Sequence, residues 1–262
     1  MLHPDPATQA VTGGSAGIGR LDAIRIASAG FWGPVTAARA LRRLLVLASG
    51  FLALIVVLSV LNILSRGELR DLRELTVVPG IPLAAALLSE MALRDGITQR
   101  TLLYALLGPA PRTVLAGTRT VLTAVLLAVG SATLLTVFHL LLRASFASWA
   151  QDMLAAAVGS LAYVALFGVL HLLTKRGLIA SLALFATFDW AIGMLPFSIR
   201  LLSPSYHLRV LGKAPHAFPI PVFTEAAKSN PFLATVVLVL VAAIAIYMTG
   251  RLFARKNLPE LC

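Results

Sequence analysis

Long apolar blocks alternate with short polar stretches along most of the chain after residue 43. About 18 or more apolar residues with few charges are typical of a transmembrane helix. Five blocks reach this length, and only one of them contains an acidic residue. They cover residues 44–65, 120–142, 153–174, 178–197 and 231–250. Blocks this long exclude an outer-membrane β-barrel, whose strands are short and alternate polar with apolar positions.

A sixth, weaker block lies at residues 76–93, "TVVPGIPLAAALLSEMAL". It is short, contains two prolines, and carries Glu90 near its end. Prolines close to the start of a span cost little, because the N–H groups of the first helical turn have no intrahelical partner. We therefore predict six transmembrane helices. A re-entrant or interfacial segment is the alternative interpretation of this block.

Composition supports a membrane protein. The 262 residues are 58% hydrophobic and 13% charged, with a mean hydropathy of +0.89, whereas soluble domains carry about 25% charged residues. The polar residues are too few to solvate a soluble domain of this length. The first long apolar block begins only at residue 44, which is not the pattern of a cleaved signal peptide. The fold class we predict is therefore all-α, a polytopic integral membrane protein.

The distribution of basic residues predicts the orientation. With six spans, both termini lie on one side, and the segments on that side hold 14 of the 22 lysines and arginines. The positive-inside rule then predicts cytoplasmic termini in a bacterial inner membrane. The predicted parts are a leader with an interfacial elbow helix (1–43), a six-span domain (44–251) and a cytoplasmic tail (252–262). A net charge of +11 fits attraction to anionic membrane lipids, and no basic stripe with interleaved aromatic residues predicts binding to nucleic acid.

Two connections are longer than turns. The cytoplasmic connection, residues 94–119, has leucines at helical spacing, which predict a short amphipathic helix that "GPAP" ends. These leucines are Leu102, Leu103, Leu106 and Leu107. The outward connection, residues 198–230, contains prolines and apolar patches. We predict that it forms one or two short helices folded back toward the membrane.

The segment "EMALRDGITQRTLLYALLGPAPRTVLAGTRTV", residues 90–121, resembles the membrane subunits of type-2 ABC transporters. In that family, an acidic residue and a Gly-Thr-like start precede a leucine-rich amphipathic helix. A P-x-x-R step follows, and then a small and a basic residue enter the third span. "LPFSIRLLSPSYHLRVLG", residues 195–212, also looks like the outward element of such permeases. The matching positions are Glu90, Gly96 with Thr98, Leu102 to Leu107, Pro109 with Arg112, and Gly117 with Arg119.

The resemblance implies that residues 94–119 couple the chain to a separate ABC ATPase subunit. The residues it assigns to that coupling are Leu102, Leu103, Leu106, Leu107, Pro109 and Arg112. It implies a permease subunit of an ATP-driven exporter, dimerised with a second copy or a paralogue. No cofactor is expected on this chain, since ATP and magnesium would bind the partner ATPase, and the chain itself would not be an enzyme. The apolar side chains of the spans are a weak indication of an amphipathic or lipid-like cargo.

Two other motifs suggest different functions. "VTGGSAGIGR", residues 11–20, resembles the opening of a short-chain dehydrogenase and a Walker A loop. No buried strand can precede it, and the Walker lysine and hydroxyl are missing. "RDGITQR", residues 94–100, resembles the start of a CDP-alcohol phosphotransferase motif, but the next acidic residue after Asp95 is Asp152, too distant for a local metal site. The open alternatives are an ATP-independent membrane assembly or anchor subunit and an intramembrane lipid-modifying enzyme.

Charged side chains within the spans are candidate functional residues. Asp189 lies midway along the fifth predicted span, where an acid costs roughly 2.5–3.5 kcal/mol. We expect it to face the protein interior, with Tyr163 or Thr187 as hydrogen-bond donor, either as a structural bond or as a cargo or proton site. Glu90 and Arg94 are four residues apart with the acid first, which favours a helical ion pair.

Overall fold

The computed structural model describes residues 19, 21–28, 50, 53–59, 63–95, 111–194, 198–213 and 230–255. All regular structure in these ranges is helical, and they contain no strand. Two short helical stretches, 21–28 (α1) and 53–59 (α2), come first. The elements that follow are α3 (Arg66–Ala92), α4 (Arg112–Leu142), α5 (Phe146–Leu173), α6 (Gly177–Gly193), α7 (Ser198–Leu202), α8 (Pro204–Gly212) and α9 (Pro231–Arg255). Most of the predicted leader and half of the predicted first span lie outside the described residues.

Helices α3, α4, α5 and α9 are long and apolar enough to cross a membrane, and α6 is apolar but shorter. The helical membrane character predicted from the sequence is therefore confirmed. The count of six spans and the orientation of the termini stay predictions.

Helix α3 begins ten residues before the predicted block at 76–93. Ser65 and Glu68 form a capping box: the Ser65 hydroxyl accepts from the Glu68 N–H at 3.2 Å, and the Glu68 carboxylate accepts from the Ser65 N–H at 2.6 Å. The helix widens into a π-helical turn at Thr76–Gly80, where Pro79 supplies no N–H. It continues as an α-helix over Ile81–Ser89 and as a second π-helical turn over Glu90–Asp95.

Helices α4 and α5 form an antiparallel pair. α4 begins directly after Pro111, so residues 112–119 of the predicted coupling segment belong to this helix. It ends at Arg143, whose backbone is left-handed with φ of 51°. Ser145 then caps α5 by accepting from the Ser148 N–H. α5 packs against α3, α4, α8 and α9 and is the most buried of the four long helices.

Helices α6 to α8 bring a short outward segment into the bundle. α6 contains a π-helical stretch at Leu184–Trp190. α8 is largely buried against α5 and α9. A glycine makes this approach possible, because a Cβ on Gly159 of α5 would lie 2.6 Å from Leu208 Cδ1. Two short helices thus occupy 198–212, where the sequence predicts one or two, and residues 214–229 of that connection lie outside the described part.

Candidate functional site

The carboxylate of Asp189 is the centre of a buried polar cluster in α6. Asp189 is 6% exposed, and Tyr163 of α5, which is fully buried, donates its hydroxyl to Oδ2. Oδ1 accepts from the Ser203 hydroxyl at 2.6 Å and from the Ser205 N–H at 2.9 Å. Ser205 donates its hydroxyl to the Asp189 carbonyl at 3.0 Å, and the Ser203 hydroxyl, 2.8 Å from the same carbonyl, shares its one hydrogen between it and Oδ1. The cluster therefore joins α5, α6 and the start of α8.

One of the two hydrogen-bond donors expected from the sequence bonds Asp189. Asp189 faces the protein interior, and Tyr163 is one of its donors. The prediction of Thr187 as a donor was wrong, because its hydroxyl donates to the Ala183 carbonyl at 2.6 Å. A threonine hydroxyl within a helix reaches the carbonyl four residues earlier without leaving its own turn. The sequence also missed Ser203 and Ser205, whose approach depends on the fold of α7 and α8.

Arg209 of α8 adds a positive charge beside this cluster. Its guanidinium carbon lies 5.3 Å from the centre of the Trp190 ring, within cation–π range. Burial lowers the pKa of Arg209 from its ordinary value, while the nearby Asp189 acts in the opposite direction. The cluster thus holds a carboxylate and a guanidinium in one largely buried environment.

Glu90 lies at the other end of the bundle and contacts α5. One of its carboxylate oxygens is 2.6 Å from His171 Nε2. His171 Nδ1 lies 2.6 Å from the Phe167 carbonyl and must carry a hydrogen to bond there. The other ring nitrogen, Nε2, therefore lies directly beside the Glu90 carboxylate. The side chain of Arg94, the partner expected from the sequence, lies outside the described residues, so that pair stays a prediction.

Arg119 connects the two flanks of the predicted coupling segment. It is buried in α4, and its Nη1 donates to the Ala92 carbonyl at 3.2 Å. The end of α3 and the first turns of α4 are therefore joined directly. Arg112 begins α4. The other residues assigned to coupling, Leu102, Leu103, Leu106, Leu107 and Pro109, lie outside the described residues.

A third charged contact, between Arg73 and Asp152, was not predicted from the sequence. The Arg73 guanidinium binds the fully buried Asp152 carboxylate through two hydrogen bonds, Nε to Oδ2 at 2.5 Å and Nη2 to Oδ1 at 2.8 Å. Nη2 also donates to the Gly212 carbonyl at 2.9 Å. Such a two-pronged pair fixes both side chains. The signal that could have revealed it is the S-x-x-E capping box at Ser65, which places Arg73 on a helix.

No protein-family model, curated protein or solved structure matches the chain. The functional interpretation therefore comes from the residues and contacts of the chain itself. Of the candidates in the spans, Asp189 and Tyr163 lie in one cluster, and Glu90 lies in another at the end of α3.

Proposed function

We propose that this chain is the permease subunit of an ATP-driven ABC exporter, which works as a dimer with a separate ATPase. The observation that carries the proposal is the contact between Arg119 and Ala92. It brings together the two ends of the segment that resembles a coupling helix. The two helices that border this segment are thus bonded to each other, as transmission of a movement from a partner subunit requires.

The contacts around this point also support transmission of a movement into the spans. A partner that pushes on the segment would move the end of α3 and the start of α4 together, because Arg119 joins them. Glu90 extends this linkage to α5 through His171. The displacement would therefore reach three packed helices and would not be absorbed within one flexible loop.

The opposite part of the chain supports the same proposal. Residues 195–212 resemble the outward element of type-2 permeases, and two short helices, α7 and α8, occupy most of this range. α8 packs against both α5 and α9, so a movement of the long helices would also reach the outward element.

The proposal is tested by copurification. The tagged chain would be co-expressed with the ABC ATPase encoded beside its gene or, without such a neighbour, with each ABC ATPase of the source cell. We expect a stable complex in detergent that hydrolyses ATP with magnesium. Replacement of Leu103 and Leu106 by Asp should abolish the complex and leave membrane insertion intact, since burial of one leucine contributes roughly 1.5–3 kcal/mol.

The matched control replaces the same two leucines by Met, which keeps the apolar surface and should keep the complex. If the Asp variant still copurifies with the ATPase, the coupling assignment is wrong. If no ATPase copurifies with the unchanged chain, an ATP-independent assembly or anchor subunit becomes the better interpretation.

A further inference from the structure

A basic cavity of about 280 Å³ opens at the end of α3 opposite Glu90. Three arginines of α3, Arg66, Arg70 and Arg73, line one side of it. His139 of α4 and Ser148 of α5 line the other. Its volume is close to the lower end of the range for small-ligand pockets, about 300–1,000 Å³. The cavity is therefore large enough for a small group and is lined by positive charge.

The arginines reach the cavity together because of their spacing. Positions 66, 70 and 73 follow one another at i, i+4 and i+7, so their side chains share one face of α3. The capping box at Ser65 begins the helix early enough to include all three. Glu68 and Asp71 do not line the cavity. The helix thus presents a positive face although its composition is mixed.

The carboxylates near the cavity act on Arg73, whose guanidinium is attracted by Glu74 as well as by Asp152. Asp152 pairs with Arg73, while Arg66 and Arg70 have no ion-pair partner within the described residues. Arg73 itself uses Nε and Nη2 for Asp152 and Gly212, which leaves Nη1 without a protein acceptor in the described part of the chain. The guanidinium is therefore held in place with donors to spare. The remaining Nη1 group of Arg73 and the guanidinium groups of Arg66 and Arg70 are donors that suit the oxygens of a phosphate.

The depth of the cavity points to the source of the anion. The 27 residues of Arg66–Ala92 span about 40 Å, whereas the hydrocarbon core of a bilayer is about 30 Å thick. If the apolar end of α3 fills that core, its first seven residues lie at the level of the lipid headgroups. Phosphates are the most abundant anions at that level.

From this geometry we infer that the cavity binds a phosphate group through Arg66, Arg70 and Arg73. An anionic phospholipid headgroup and a soluble phosphate share this chemistry, and the depth favours the headgroup. The site does not depend on the proposed transport function, because it is formed by α3, α4 and α5 at the end of the bundle away from the coupling segment.

The test measures the thermal unfolding midpoint of the purified full chain in a neutral detergent. The probes are short-chain phosphatidylglycerol, the corresponding diacylglycerol without phosphate, and inorganic phosphate. We expect phosphatidylglycerol to raise the midpoint with a saturable dependence and diacylglycerol to leave it unchanged. A response to inorganic phosphate as well would assign the site to a soluble phosphate, and a response to the lipid alone would assign it to a headgroup.

The decisive variant is R66Q/R70Q. Both arginines are exposed, so the protein should fold without ligand. Loss of two charge-assisted contacts should weaken the response to the phosphate probe by about tenfold or more. The matched control is R176Q/R255Q, which removes two exposed arginines outside the cavity and should bind as the unchanged chain does. The single variant R70Q provides the same comparison if the double variant is poorly folded.

The inference is overturned by any of three results. Neither phosphate probe changes the midpoint of the unchanged chain, R66Q/R70Q responds as strongly as the unchanged chain, or R176Q/R255Q weakens the response as much as R66Q/R70Q. The last result would show that net charge alone attracts the probe.

Discussion

At the scale of single residues, the buried acids are the least expected features of so apolar a chain. Asp189 accepts hydrogen bonds from Tyr163, Ser203 and the Ser205 N–H, so its carboxylate is met by donors from α5 and from the start of α8. A carboxylate satisfied in this way fits a structural role, because an apolar replacement would leave those donors unpaired at about 1–3 kcal/mol each. The sequence predicts that Asp189 needs donors, since the cost of burial is general, but it cannot identify serines brought in by α7 and α8.

Asp189→Asn and Asp189→Leu separate the structural role from a role in transport. In Asn, the amide oxygen can still accept from Ser203 and the Ser205 N–H, and the amide nitrogen can donate to the Tyr163 hydroxyl. We expect Asp189→Asn to fold and transport nearly as the unchanged chain does. Asp189→Leu should lose roughly 2–5 kcal/mol of stability, measured as a lower unfolding midpoint in detergent.

Thr187→Val is the control for that comparison, because Thr187 is exposed and bonds only its own helix. It should unfold near the midpoint of the unchanged chain. An Asp189→Asn protein that is stable but inactive would instead place the charge of Asp189 in the transport reaction. An Asp189→Leu protein of full stability would remove the structural role.

The contact between Glu90 and His171 gives a second prediction at this scale. Because the two side chains contact each other across two helices, the effects of Glu90→Ala and His171→Ala on stability should not add. We expect the double variant to lose about 0.5–3 kcal/mol less unfolding free energy than the sum of the losses of the two single variants. All variants are measured in the same buffer and detergent. Additive effects would show that the 2.6 Å contact contributes no coupling energy.

At the scale of elements, the sequence predicts long apolar helices well and their exact limits less well. The blocks at 120–142, 153–174 and 231–250 each fall on one helix, α4, α5 and α9, because an uninterrupted apolar run of this length has few other structures available to it. The helices are longer than the blocks: α4 and α5 begin eight and seven residues earlier, and α9 ends five residues later. Hydropathy alone hides the start of α3, since its first turns are charged. Only the cap formed by Ser65 and Glu68 marks that start.

The packing of α8 is an element-level feature that no hydropathy pattern reports. It depends on Gly159, where a Cβ would meet Leu208 Cδ1 at 2.6 Å. Gly159→Val should overpack this contact and cost about 1–3 kcal/mol, seen as a lower unfolding midpoint. Gly130→Val is the matched control, because no atom lies within 4 Å of a Cβ at that position of α4.

A second substitution tests the cause of that loss. Leu208→Ala removes the side chain that the introduced valine would meet, so Gly159→Val should cost less stability in a Leu208→Ala background than in the unchanged chain. If Gly159→Val and Gly130→Val unfold at the same temperature, close approach of α8 to α5 does not contribute to stability.

At the scale of the whole molecule, the charged contacts separate into two ends of one bundle. Glu90, His171 and Arg119 lie where α3 and α5 end and α4 begins, whereas Arg73, His139 and Asp152 lie where α3 and α5 begin and α4 ends. The first end carries the predicted coupling segment and the second carries the basic cavity. The side of the membrane that each end faces follows only from the distribution of lysine and arginine along the chain.

Cysteine labelling tests that orientation. The only cysteine of the chain, Cys262, would be replaced by Ser, and single cysteines would be placed at Ala144 and Lys175, which are both exposed in the turns before and after α5. The 28 residues of α5 span about 42 Å, so the two turns must lie on opposite sides of the membrane if α5 crosses it. We expect a membrane-impermeant maleimide to label Ala144→Cys in intact cells and Lys175→Cys only after permeabilisation, since the turn with Lys175 and Arg176 belongs to the more basic set of segments.

The reverse labelling pattern would invert the topology. The basic cavity would then face the cytoplasmic side of the membrane, where the anionic headgroups of the inner leaflet could reach it. Labelling of both positions from the same side would mean that α5 does not span the membrane.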